Sequence, residues 1–326
     1  MVYSLTRLDQ YHFPGRGDVV YVLEAHRTAA GLATIASDQG LSLFDPARIG
    51  TGPLAGSVTE HGNVTALRVF DAGNSLVCTA GENGSVGVWD WRIGGGGGGG
   101  AGARVAQFQA SQASILSMAC SPGTQTIAVG TELENHTASI CLWDVRSTPS
   151  PKAQYDEVHS DDITSLSFHP SQPTLLLSGS TDGLVSAHDT TIADEDDLTV
   201  QTFNHNASIH DAAFVSQTEV FALSHDEAFA LYDMEQAGGD AAQNFGDMRG
   251  CWGVMEPSSA REHKTFELVY LAKSPQNSWI LDLDNRVSLP GAHGGEIVRS
   301  FCFFDDENVV FTTGEDGSIK AWGPGG

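Results

Sequence analysis

Short runs of apolar and β-branched residues recur in pairs along the chain, and each pair is joined by a tight polar turn. Glycine, asparagine and aspartate dominate these turns, as in Glu82-Asn83-Gly84, and they supply the positive φ angles that short hairpin turns require. The pattern therefore predicts consecutive β-hairpins. They cover residues 34–45, 79–90, 178–189, 223–233 and 312–322, together with the ICLWD run that ends at Asp144.

The hairpins recur at a nearly constant spacing, with intervals of 45, 54, 45, 44, 49 and 41 residues between their closing positions. Those positions are Asp45, Asp90, Asp144, Asp189, Asp233, Asp282 in a divergent copy, and Gly323. Such a period is typical of four-stranded propeller blades. We therefore expect residues 1–326 to form one all-β domain, a seven-bladed β-propeller. Seven consecutive glycines explain the long interval, and they predict a flexible insertion at residues 94–103 within blade two.

The two ends of the chain are predicted to close the ring together. Four residues follow Trp322, which leaves the last blade without a fourth strand, and an open strand edge invites aggregation. Residues 2–8 (VYSLTRL) alternate apolar and polar positions ahead of the first strand expected for blade one, at residues 19–25. We expect residues 2–8 to complete blade seven.

These hairpins resemble the repeats of the WD-repeat family over nearly the whole chain. The family signature pairs a Gly-His-type dipeptide before the first strand with a Trp-Asp pair that closes the third. Three segments match the first element: His61-Gly62, His159-Ser160 and His293-Gly294. Two match the second: Trp89-Asp90 and Trp143-Asp144. Residues 159–233 also resemble the WD repeat-containing protein 89 group.

The resemblance implies a buried hydrogen-bonded network of a histidine, a strand hydroxyl, a turn aspartate and a tryptophan in each regular blade. Asn83 and His188 depart from that pattern, and blade six shows no recognisable network. The residues expected to form these structural networks are His61, Trp89, His159, Ser178, Asp182, His293, Thr312, Asp316 and Trp322. For function, the resemblance implies a rigid, non-catalytic platform that assembles other proteins.

Composition narrows the classes of partner. Lys and Arg number 16 against 41 Asp and Glu, a formal net charge of -25, which disfavours nucleic acids and anionic membranes. The start of the chain lacks the apolar core of a secretory signal, so we expect a cytoplasmic or nuclear protein. The five scattered cysteines form no metal-binding pattern, and no cofactor motif is present. The fold explains the histidines and aspartates that could otherwise suggest a hydrolase, so no enzymatic activity is expected.

Carboxylates gather in the turns that a propeller places around one mouth of its central channel. We expect this acidic rim to bind a basic partner such as a ribosomal protein or a histone-like segment, with the chain a monomer or one subunit of a complex. The alternative is a solvated acidic surface that aids solubility. The rim residues are Glu82, Glu132, Glu134, Asp161, Asp162, Glu227 and Glu315.

Two W-D-x-R sequences, ending at Arg92 and Arg146, occur on consecutive blades. They resemble the double box with which some WD-repeat proteins bind the adaptor of cullin-4 ubiquitin ligases. Arginine suits such contacts because it is always charged and can pair bidentately with carboxylates. The alternative is that both arginines are ordinary polar residues of exposed turns, since a four-residue pattern is weak evidence.

Overall fold

The computed structural model describes residues 2–15, 18–93, 103–146, 150–236, 238–248, 265–273 and 279–325. Regular structure in these ranges consists of β-strands and two single-turn 3₁₀ helices, Ile49–Thr51 and Asp305–Glu307. No helix in these ranges has the length and apolar character needed to cross a membrane. Of the predicted glycine-rich insertion at residues 94–103, only Ala103 lies within the described residues, where a strand begins.

The strands form the seven blades of a β-propeller, of which the first five are four-stranded antiparallel sheets built from consecutive strands. Blade one contains β3 Val22–Thr28, β4 Gly31–Ala36, β5 Gly40–Phe44 and β6 Ala55–Val58. Blade two contains β7 Val64–Asp71, β8 Leu76–Gly81, β9 Ser85–Asp90 and β10 Ala103–Gln109. Blade three contains β11 Ile115–Ser121, β12 Thr126–Thr131, β13 Ile140–Asp144 and β14 Ala153–Tyr155.

The remaining blades differ in how they are completed. Blade four contains β15 Ile163–Phe168, β16 Leu175–Ser180, β17 Leu184–Asp189 and β18 Thr199–Asn204. Blade five contains β19 Ile209–Phe214, β20 Glu219–Ser224, β21 Ala228–Asp233 and β22 Gln243–Asp247. In blade six, β23 Thr265–Lys273 pairs with β24 Trp279–Pro290, and β1 Val2–Ser4 joins it in parallel. Blade seven contains β25 Val298–Phe304, β26 Val309–Gly314 and β27 Ser318–Gly323, completed by β2 Thr6–His12.

The amino-terminal segment closes the ring, as the sequence predicts, but with different strand bounds. The strand that completes blade seven is Thr6–His12 rather than residues 2–8, because Val2–Ser4 pairs with blade six and the amide of Leu5 donates to the carbonyl of Ser288. Blade one accordingly begins at Val22 rather than at residue 19.

The closing strand also holds blade one. The Asp9 carboxylate accepts a hydrogen bond from the amide of Gly50 at 2.8 Å, and the Tyr11 ring packs 5.1 Å from that of Phe44. Together, β1 and β2 therefore contact blades six, seven and one.

The core is divided among the wedges between neighbouring blades. One cluster joins blades two and three around Phe108, Met118 and Trp143, and similar clusters fill the other described wedges. Hydroxyl groups on the first strands of some blades form hydrogen bonds with the backbone of the next blade. Thr65 donates to the carbonyl of Ile115 at 2.6 Å, and two further bonds of this kind run from Ser117 to Ile163 and from Thr164 to Ile209. These contacts fix blades two, three, four and five relative to one another.

Candidate functional site

The buried network of blade seven contains all the predicted members. His293 hydrogen-bonds through Nδ1 to Asp316 at 2.6 Å and through Nε2 to Thr312 at 2.8 Å, and the indole N–H of Trp322 donates to Thr312 at 2.9 Å. Lys320 adds an ammonium group 2.7 Å from Asp316. Burial works to raise the pKa of Asp316, but the hydrogen bonds from His293 and Lys320 outweigh it and hold the pKa below its ordinary value.

Blade four builds the same network with a second histidine in the tryptophan position. His159 bonds to Asp182 at 2.9 Å and to Ser178 at 2.7 Å. His188 reaches the same Ser178 hydroxyl at 2.8 Å and bonds to Thr199 at 3.0 Å. Burial, with a smaller contribution from His159, lowers the pKa of His188 to about 3, so this ring is neutral at physiological pH.

Blade two lacks the turn aspartate, and a serine takes over its contact. His61 bonds to Ser85 Oγ at 2.6 Å and to Thr79 Oγ1 at 2.8 Å, and Trp89 donates to Thr79 at 2.8 Å. The Ser85 hydroxyl in turn donates to the Asn83 side chain at 2.6 Å. Burial and, secondarily, the charge of Arg104 lower the pKa of His61 to about 4.

Sequence reasoning missed a related contact in blade five. His205 Nδ1 lies 2.9 Å from the hydroxyl of Tyr232, which occupies the tryptophan position of that blade. Burial raises the pKa of Tyr232 to about 12, so the phenol stays protonated. The signal was present in the sequence, since tyrosine precedes the closing aspartate in LYD as tryptophan does in LWD.

In the three predicted networks, both ring nitrogens of each family-type histidine are hydrogen-bonded to buried or half-buried partners. These histidines stabilise blades, because a buried imidazole without partners would carry a large desolvation cost. Among the described residues, no group of three or more histidine, cysteine or acidic side chains is arranged to hold a metal ion.

The structure brings four of the predicted rim residues together over blades three and four. Glu132, Leu133 and Glu134 lie in the long turn between β12 and β13, which a bridge between Glu134 and Thr137 folds into a small hairpin. The Asp162 carboxylate, in the loop that leads into blade four, accepts a hydrogen bond from the Leu133 amide at 2.7 Å. Asp161 lies beside it and accepts from the amide of Asp162.

The other three predicted rim residues have separate surroundings. Glu82 accepts a hydrogen bond from the Asn63 side chain at 2.6 Å, and Glu227 is exposed in the turn of blade five. Glu315 forms an ion pair with Arg299 and is thus already neutralised. Of the seven predicted rim residues, four therefore lie together on one surface, formed by Glu132, Glu134, Asp161 and Asp162 and here called the blade 3–4 rim.

The two W-D-x-R arginines adopt the same conformation on neighbouring blades. Arg92 donates to both carboxylate oxygens of Asp90, at 3.0 and 2.8 Å, and Arg146 does so to Asp144 at 2.9 and 2.6 Å. Hydrogen bonds from Arg146 lower the pKa of Asp144 to about 2. Both turns follow the third strand of a blade and lie at the end opposite to the blade 3–4 rim, because antiparallel strands alternate in direction.

Comparison with known proteins agrees with this architecture. The family model of the WD40 repeat (WD domain, G-beta repeat) matches residues 52–90, 151–189 and 285–323. An uncharacterized WD repeat-containing protein of Schizosaccharomyces pombe is 32% identical over 284 residues, 80% of this chain and 83% of that protein.

Two further relatives share the family name. An uncharacterized WD repeat-containing protein of Saccharomyces cerevisiae is 33% identical over 67% of this chain, and the WD repeat-containing protein 89 homolog of Dictyostelium discoideum is 24% identical over 67%. The matches span 59% and 55% of these two relatives. With its repeats, its seven blades and these relatives, the chain belongs to the WD40-repeat family.

Proposed function

We propose that this propeller is a non-catalytic interaction platform whose blade 3–4 rim binds a basic segment of a partner protein, such as a ribosomal protein or a histone-like tail. Proteins of the WD40 family are generally protein-interaction scaffolds. The hydrogen bond between Asp162 and the Leu133 amide carries the proposal, because it joins the carboxylates of two blades into one surface. Within the described part of the chain, none of these four carboxylates forms an ion pair.

The rim combines charge with an apolar contact. Leu133 is 36% exposed between Glu132 and Glu134, so a partner can bury it while its basic side chains meet the carboxylates. Exposed ion pairs contribute about 0.2–1 kcal/mol each, so affinity requires several of them together. The net charge of -25 accelerates the approach of a basic partner at low salt.

Binding of a fluorescent peptide rich in lysine and arginine tests the rim. The double variant Glu132→Gln, Glu134→Gln should weaken binding about 2- to 30-fold, the effect of two ion pairs of about 0.2–1 kcal/mol each. The variant Asp305→Asn, Glu307→Gln makes the same change of net charge in the turn between β25 and β26, at the opposite end of the blades. Equal loss in both variants would show that only net charge matters and would refute the proposed surface.

A second candidate function is substrate reception for a cullin-4 ubiquitin ligase, supported by the shared conformation of the two W-D-x-R arginines. Each guanidinium is held by its own aspartate while its side chain stays 54% (Arg92) or 67% (Arg146) exposed. The variant Arg92→Ala, Arg146→Ala should abolish co-purification of the ligase adaptor and leave binding of the basic peptide unchanged. Arg48→Ala removes a similarly paired arginine, bonded to Asp45, and is the control that should retain the adaptor.

A further inference from the structure

A cavity of about 330 Å³ lies between the end of blade two and the outer strands of blade three. Its blade three wall is formed by Ser139, Cys141 and Trp143, which alternate along the chain at β13 and therefore face the same side. Ala110 and Ala113, in the loop that follows β10, form the opposite wall. Pockets for whole small molecules measure about 300–1,000 Å³, so this cavity has room for a single side chain.

The floor of the cavity is apolar and uncharged. Ala110, Cys141 and Trp143 line it and are all buried. Burial, helped by the charge of Asp156, raises the pKa of Cys141 to about 12, so its thiol stays neutral. An ammonium or guanidinium group pressed against these three side chains would lose its hydration and find no carboxylate among them to pair with, which is costly. The floor therefore favours an apolar occupant.

The mouth of the cavity is shared with the blade 3–4 rim. Glu134 and Thr137, the bridged pair in the long turn of blade three, are exposed and line the cavity. Among the described residues of the lining, Glu134 is the one that carries a charge. Leu133, next to it, is held by its amide hydrogen bond to Asp162. A basic segment that pairs with the rim carboxylates therefore passes the mouth and can point one side chain into the cavity.

We infer that this cavity is an anchor pocket for one aliphatic side chain, of the size of leucine, carried by the basic segment that the blade 3–4 rim binds. The inference rests on the proposed platform function and adds a sequence requirement to it, namely an aliphatic residue flanked by lysine or arginine. Exposed ion pairs each contribute little, whereas binding energy at protein interfaces is concentrated in a few side chains that fill desolvated pockets. The anchor therefore supplies affinity that the rim carboxylates alone do not.

Two fluorescent lysine peptides that differ only in one central residue, leucine or alanine, test the anchor pocket. The leucine peptide should bind about 10- to 50-fold more tightly, because its side chain buries three more carbon atoms. Added sodium chloride should weaken the binding of both peptides by screening their ion pairs with the rim. The ratio of the two affinities should stay nearly constant, because burial of an aliphatic side chain involves no charge.

Substitutions that fill the cavity should abolish the difference between the two peptides. Ala113→Phe places a ring in the cavity, so both peptides should bind this variant with equal affinity. The control is Ala207→Phe, at the equivalent half-buried position two residues before the first strand of blade five, which should retain the preference for leucine. Thr137→Trp fills the mouth from an exposed position, so it provides the same test if Ala113→Phe does not fold.

The outcomes separate the anchor pocket from the platform. Equal binding of the two peptides to the unmodified protein would overturn the pocket, while weaker binding of both to the Glu132→Gln, Glu134→Gln variant would still support the platform. A preference for leucine that persists in the filled variants would place the apolar contact elsewhere and would also overturn the pocket. Failure of both peptides to bind the unmodified protein would overturn both proposals.

Discussion

Three threonines offer a direct measure of what the buried networks contribute to stability. Thr34, Thr79 and Thr312 occupy the same register position in the second strand of blades one, two and seven, and all are fully buried. The hydroxyls of Thr79 and Thr312 each contact a histidine and a tryptophan. Thr34 Oγ1 has no partner in the described ranges. Replacing each threonine with valine therefore removes the same hydroxyl from two hydrogen-bonded networks and from one site where it has no partner.

The expected loss of stability depends on how many buried polar groups each substitution leaves without a hydrogen-bond partner. Thr312→Val leaves the Trp322 N–H without an acceptor and His293 Nε2 without a donor. Each stranded buried group costs about 1–3 kcal/mol, so the free energy of unfolding should fall by about 2–6 kcal/mol, and likewise for Thr79→Val. Thr34→Val strands nothing and removes an unsatisfied hydroxyl. That variant should be unchanged or up to about 1 kcal/mol more stable.

Urea unfolding followed by circular dichroism measures the three differences, provided that the slope of free energy against urea is unchanged. In a Trp322→Phe background, Thr312→Val should cost less, because one stranded group is no longer present. Similar losses in all three valine variants would mean that threonine packing, rather than the network, sets the stability. That result would refute the reasoning.

Three further predictions concern pH, ring closure and a blade-specific ion pair. The folded-state pKa of His61 is about 4, against an ordinary value of 6.5. The contribution of the neutral His61 ring to stability should therefore be lost as pH falls from about 6.5 to about 4. In the His61→Gln variant, the free energy of unfolding should fall less steeply over that pH range. Tyr11→Ala, on the closing strand, should lower the free energy of unfolding by about 2 kcal/mol, measured by urea unfolding. Tyr3→Ala, which removes a half-exposed side chain, should lower it by less than about 1 kcal/mol. Equal losses in the two variants would contradict closure by β2. Lys320→Met should destabilise by about 1–3 kcal/mol at neutral pH. The difference from the unmodified protein should begin to shrink below about pH 4, where Asp316 of the unfolded chain takes up a proton, and should be lost as pH falls through its lowered folded-state pKa. A pH-independent difference would exclude the ion pair as its cause.

The number of blades and the closing of the ring could be predicted from the sequence, because both follow from a repeat and from a missing strand. The bounds of the closing strand could not. Residues 2–8 alternate as a strand should, and that pattern does not choose between two neighbouring blades. The choice depends on distant contacts, namely those of Asp9 with Gly50 and Tyr11 with Phe44.

In the candidate site, too, the sequence predicts some features, while others depend on contacts between distant residues. The members of the networks in blades four and seven occupy positions that the sequence pattern identifies. The bridging role of Ser85 depends on a side-chain rotamer, which a pattern of residue types does not record. The hydrogen bond from Leu133 to Asp162, which assembles the rim, is likewise a contact between two blades.

Blade three both lacks the buried histidine network and carries the long turn of the proposed binding surface. In blades four and seven, the turn aspartate is tied to the buried histidine, and the turn between the second and third strands spans three residues. Blade three has neither residue at these positions, and its turn spans residues 132–139 and is held by Asp162. Blades two and four lie on either side of it, and each retains a hydrogen-bonded network around a buried histidine. The longer turn therefore places Glu132 and Glu134 beside the loop that carries Asp161 and Asp162, and this contact assembles the blade 3–4 rim.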